Sequence, residues 1–138
     1  MENVFDEQKA QEELEKGYEA AEKILNDPDK FERFLQRLEK KLKIIPKLGD
    51  KFSKVPVMAS LIRSFVKKEY TDVPIGSIIA ITSALIYFVS PIDILSDGLP
   101  IVGLFDDAIV IAVCLKLAES DVDEYAKWRE DNGKVINV

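Results

Sequence analysis

The sequence predicts an all-α protein, a compact bundle of five to six helices around a central apolar helix-loop-helix hairpin. Three observations carry this. Apolar residues recur at helical spacing, Pro and Gly punctuate the periodic segments, and no stretch alternates apolar and polar residues as a half-buried strand would. At 138 residues, 47% hydrophobic and 32% charged, the chain is one domain's worth and rich enough in apolar side chains to bury a core.

The elements follow in order. Residues 5–25 read as a helix with a narrow stripe of Leu14, Tyr18, Ala21 and Leu25, so that residues 1–27 form a charged N-terminal helix or arm. Residues 28–138 read as a single helical domain. Asn26-Asp27-Pro28 marks its start, because Asp27 can accept from free N–H groups while Pro28 suits a first helical turn. The next helix, 28–45, sets Phe31, Phe34, Leu35, Leu38, Leu42 and Ile45 on one face, and Pro46 and Gly49 end it. Pro56 opens a third helix to about Glu69, with Met58, Leu61, Ile62, Phe65 and Val66 inward. Val73 to Ile92 then runs twenty residues without a charge, the length of a membrane span. Pro74 and Pro91 shorten the helix to about sixteen residues, or ~24 Å, against the ~30 Å of a hydrocarbon core. Ser77, Thr82 and Ser83 dilute it further, so a central helix buried on all sides in protein is favoured. A fifth helix is expected over about 104–118, and a sixth from Ser120, with Asp123 completing a capping box and Asn132-Gly133 closing it.

Composition narrows the chemistry. Histidine is absent, which removes the usual general base, the Ser-His and Cys-His pairs and the commonest transition-metal ligand. The one cysteine, Cys114, lies in an apolar run and reads as a core residue; no disulfide can form within the chain. Met1 to Gln8 is acidic with no apolar stretch, so no secretory signal is expected and the expected location is cytoplasmic, with the inner face of a membrane as the alternative.

The net charge of −6 conceals segregation. Residues 1–29 carry three Lys against ten Asp/Glu, residues 30–68 twelve Lys/Arg against three, and the remainder four against twelve. Lys40, Lys41, Lys43, Lys47, Lys51 and Lys54 cluster in the basic middle with Ile44, Ile45, Leu48 and Phe52 between them. Such a cluster suits anionic lipid headgroups, each Lys near the surface contributing about 1 kcal/mol. A solubilised helix end, where the dipole favours cations, is the preferred reading of it. Nucleic acid is disfavoured, since the cluster lacks Arg and the chain is acidic.

Between the last two apolar segments lies the most distinctive stretch, Tyr87-Phe88-Val89-Ser90-Pro91-Ile92-Asp93, then Asp97, Leu99-Pro100, Gly103 and Asp106-Asp107-Ala108. Its spacing of Pro, Gly and Asp resembles the signature of the YkvA-like family, a domain of unknown function catalogued as DUF1232, over about residues 70–118. Ser96 departs from the pattern, which usually has Pro before the second Asp. The resemblance implies a small helical domain, often membrane-associated, with no established activity.

The residues themselves allow two roles for Asp93, Asp97, Asp106 and Asp107. As a structural clasp they satisfy N–H groups at two helix starts and hold the Pro/Gly loop in shape. As a metal site they would gather around Mg²⁺ or Ca²⁺, which would offset their repulsion and desolvation. The clasp ranks first, because the loop lacks EF-hand spacing and adjacent Asp106 and Asp107 point apart on a helix. Phosphoester hydrolysis ranks last, with no evident phosphate clamp. The favoured function is thus a non-enzymatic helical interaction or scaffold protein that engages a protein partner or itself and needs no cofactor. The alternatives are a peripheral or integral membrane factor and a carboxylate metal-binding protein.

Overall fold

In the computed structural model, which describes residues 4–43, 53–89 and 107–132, six helices are present. They are α1 (Val4–Lys16), α2 (Tyr18–Leu25), α3 (Pro28–Leu42), α4 (Val55–Val66), α5 (Ile75–Val89) and α6 (Asp107–Asp131). The described residues contain no strand. The protein is an all-α bundle.

α5 is the hub. It packs against every other helix, and from Ala80 to Val89 every residue is buried. A helix apolar all round must be covered all round, and here its neighbours do the covering. Its 15 residues span about 22 Å, and no helix among the described residues is long and apolar enough to cross a membrane.

The polar residues of this helix are bonded rather than stranded. Thr82 Oγ1 donates back to Ile78 O at 2.8 Å, Ser83 Oγ to Leu14 O at 2.6 Å, Tyr87 OH to Glu13 Oε1 at 2.8 Å, and Ser77 Oγ to Asp121 Oδ2 at 2.5 Å. Three of the four reach into other helices, so the hydroxyls that dilute the apolar run are its connections to α1 and α6.

α3 buries Phe31, Phe34, Leu35, Leu38 and Leu42, the expected stripe, while Ile45 lies outside the described residues. Its start follows the expected chemistry: Asp27 Oδ1 accepts from Asp29 N at 3.0 Å and Lys30 N at 3.2 Å, with Pro28 in the first turn. α4 is shorter than expected, ending at Val66. Lys68 N donates to Phe65 O and Glu69 N to Ser64 O, a Schellman closure with Lys68 in the left-handed region at φ 63°.

Two expectations are corrected. The N-terminal helix is broken at Gly17, where Leu14 O takes Gly17 N–H and Ser83 Oγ in place of the Tyr18 N–H of a continuous helix, and Ser83 of α5 occupies the space a side chain on residue 17 would need. At the other end Ser120 starts no new helix; α6 runs 25 residues through it. Cys114, Ala118, Val122 and Tyr125 form an unbroken buried stripe at spacings of four, four and three. Packing of that stripe against α4 and α5 outweighs the local capping preference of Ser120, whose side chain is simply exposed.

Candidate functional site

Three of the candidate metal ligands, Asp93, Asp97 and Asp106, lie outside the described residues. Asp107 opens α6, with its side chain outside the description. What the structure places are the flanks of that loop, and the basic surface next to its first flank.

α3 carries Lys40 and Lys41 three and four residues after Arg37, so each neighbours Arg37 on the helix surface near its end. With Val89, the last residue of α5, they line an open depression of about 400 Å³. Lys41 Nζ lies 4.8 Å above the ring of Phe88, a cation–π contact that ties the end of α3 to the end of α5. Lys40 and Lys43 are exposed. Lys47 and Lys51 lie outside the described residues.

Lys54 is engaged elsewhere. Its ammonium meets Glu119 Oε2 at 2.6 Å and Asp123 Oδ1 at 2.9 Å, both on α6, and these two hydrogen bonds hold its pKa above the usual lysine value. Lys54 pins the start of α4 to α6, whereas Lys40, Lys41 and Lys43 lie at the end of α3.

On the opposite flank, α1 meets α5 through a buried carboxylate. Glu13 is 6% exposed, accepts from Tyr87 OH, and pairs with Lys16 Nζ at 3.1 Å. Burial, followed by the bond and charge of Glu13, pushes the Tyr87 hydroxyl well above the usual tyrosine range, so it is a firm donor at neutral pH. A second buried network joins α4 to α6. Tyr125 OH lies 2.6 Å from Ser60 Oγ, 2.7 Å from Ser64 Oγ and 3.1 Å from Arg129 NH1, under a cluster of Tyr70 and Trp128 rings. None of these groups forms a nucleophile and base pair; each ties helices together.

Sequence reasoning did not single out Glu13, Ser83 or the Ser60–Ser64–Tyr125 set. A signal for the first two exists: Ala10, Leu14, Gly17, Ala21 and Ile24 repeat at spacings of four, three, four and three, a stripe small enough for another helix to approach closely. It lies one residue off the stripe through Tyr18 and Leu25, which are only partly buried.

The fold defines the class: a small all-α protein organised around one buried helix. Residues 77–113 match the sequence profile of a family described as "Protein of unknown function (DUF1232)". The chain is also 29% identical over 69 residues to a protein of Bacillus subtilis (strain 168) named "Uncharacterized membrane protein YkvA". That match takes in 50% of this chain and 65% of the relative. The chain is thus similar to that protein and, over residues 77–113, to the DUF1232 family. No solved structure matches.

Proposed function

We propose that this chain is a non-enzymatic helical interaction domain that works at an anionic membrane surface, attached from one side without a spanning segment. The observation that carries this reading is the basic end of α3, where Arg37, Lys40, Lys41 and Val89 line an open depression and exposed Lys43 follows at the helix end. The relative's description as a membrane protein supports it, and so does a central apolar helix that is sheathed in protein rather than left for lipid. Attachment is then electrostatic: the lysines sit over the headgroups, and salt weakens the hold. The proposed contact surface extends through Lys47 and Lys51 and leaves out Lys54.

Sedimentation with vesicles of phosphatidylcholine and phosphatidylserine tests this. Pelleting is expected at low salt and release at high salt, and Lys40→Glu with Lys43→Glu should weaken binding by about tenfold or more. Protein that stays in the supernatant at both salt concentrations refutes membrane attachment. Pelleting that resists salt refutes the peripheral mode in favour of insertion.

A further inference from the structure

The contact between α1 and the rest of the bundle is built differently from every other. Among the described residues, α1 buries two apolar side chains, Ala10 and Leu14. It packs along α6 as well as α5, and its register on α5 is set by directed bonds, Ser83 Oγ to Leu14 O and Tyr87 OH to Glu13 Oε1, two donors on one helix face that reach two adjacent residues of α1. α2, by contrast, buries Ala20, Ala21 and Ile24 between α3 and α5.

The junction between them has two ways to satisfy one carbonyl. An uninterrupted helix would give the Leu14 oxygen to Tyr18 N–H. Here that oxygen takes Gly17 N–H at 3.1 Å and Ser83 Oγ at 2.6 Å. Gly17 itself is in the right-handed helical region at φ −84°, ψ −5°, so a modest backbone rotation joins α1 and α2 into one helix and carries α1 off α5. Straightening exchanges the Ser83 bond for a backbone bond to the same oxygen, which lowers the cost of leaving.

We propose that α1 is a hinged strap: it opens about Gly17 while α2 to α6 stay folded, and in opening it uncovers the Ser83 and Tyr87 face of α5. The docked and released positions form a two-state element, independent of whether the protein binds membranes. The strap is an opening of lower free energy than global unfolding, and among the described residues it is held shut by two hydrogen bonds to α5, the burial of Ala10 and Leu14, and packing on α6.

Native-state hydrogen exchange on the full chain tests this. Amides of Ala10 to Lys16 are expected to exchange at least about tenfold faster than those of Ile81 to Leu85. Ser83→Ala should accelerate the α1 amides by a further factor of about ten and leave those of α4 and α5 within about twofold of wild type. Tyr87→Phe, which keeps the ring and loses only the bond to Glu13, should act on the same amides in the same direction. The strap is refuted if α1 exchanges in step with α5. It is equally refuted if both variants accelerate all helices alike, because α1 then leaves only when the whole bundle unfolds.

Discussion

α1 and α6 are both charged amphipathic helices laid against α5, yet they are held in opposite ways. α6 buries Val110, Ile111, Val113, Cys114, Ala118, Val122 and Tyr125, so contact area is the larger part of its hold, alongside the Tyr125 hydroxyl network and the bond from Ser77 to Asp121. α1 is held by position: a buried glutamate, a hydroxyl on a carbonyl, and a glycine where nothing larger fits. A surface held by area should answer to lost volume, and one held by position to any added atom. The two helices can be distinguished by substitution alone.

The largest effect belongs to α6. Tyr125→Ala removes a fully buried ring from between Tyr70 and Trp128 and leaves Ser60 and Ser64 without their shared partner. A loss of about 3–5 kcal/mol is expected, seen as a fall in melting temperature of about 10 °C or more. Tyr125→Phe restores the volume and should recover more than half of that loss. Recovery of much less would mean that the hydroxyl network, not area, holds α6, and the contrast with α1 would fail.

Gly17→Ala is the corresponding test on α1, and the sign is the informative part. Helix propensity alone predicts a gain of about 1 kcal/mol. The added Cβ, however, falls 2.3 Å from Ser83 Oγ and drives that hydroxyl off the Leu14 carbonyl, so a net loss of about 1–2 kcal/mol is expected. In a Ser83→Ala background the obstacle is gone, and the same substitution should be neutral or stabilising. A double-mutant cycle by chemical denaturation reads this directly. A stabilised single Gly17→Ala variant would show that α1 is not seated against Ser83.

Much of this architecture is legible along the chain because its causes are local. The stripe from Phe31 to Leu42, the Asp27-Pro28 start and the all-round burial of α5 each follow from spacing and capping within one segment. What is not legible depends on partners far apart in sequence. Ser83 meets Leu14 across 69 residues, and Lys54 meets Glu119 and Asp123 across 65 and 69. No window around Gly17 shows that a serine from α5 will fill its space, and no window around Lys54 separates it from the lysines beside it. Ser120 shows the converse: a sound capping signal overruled because the stripe through Ala118, Val122 and Tyr125 stays in register beneath it. Of the candidate site, Lys40 and Lys43 are exposed at a helix end as spacing implies, and Asp93, Asp97 and Asp106 lie outside the described residues.

The smallest effect concerns the surface ion pairs that Lys54 makes with α6. Lys54→Met removes both ion pairs to α6, but these lie at the surface, where water and salt screen them. Less than about 1 kcal/mol should be lost at neutral pH, and less again at high salt. The pH dependence identifies the source. Because the hydrogen bonds that Lys54 donates to Glu119 and Asp123 raise its pKa on folding, its contribution is fully present below the unfolded lysine value and is lost as pH rises through the folded one. The wild-type advantage over Lys54→Met should therefore hold from neutral pH to about pH 10 and vanish above it. Burial of Cys114, which pushes its thiol up to about 12, also destabilises the fold between pH 9 and 12, but equally in both proteins, so it cancels from the difference. A difference that survives strongly alkaline conditions would show that the Lys54 stem, packed on α6, matters more than its charge, and the area rule would then extend to this residue as well.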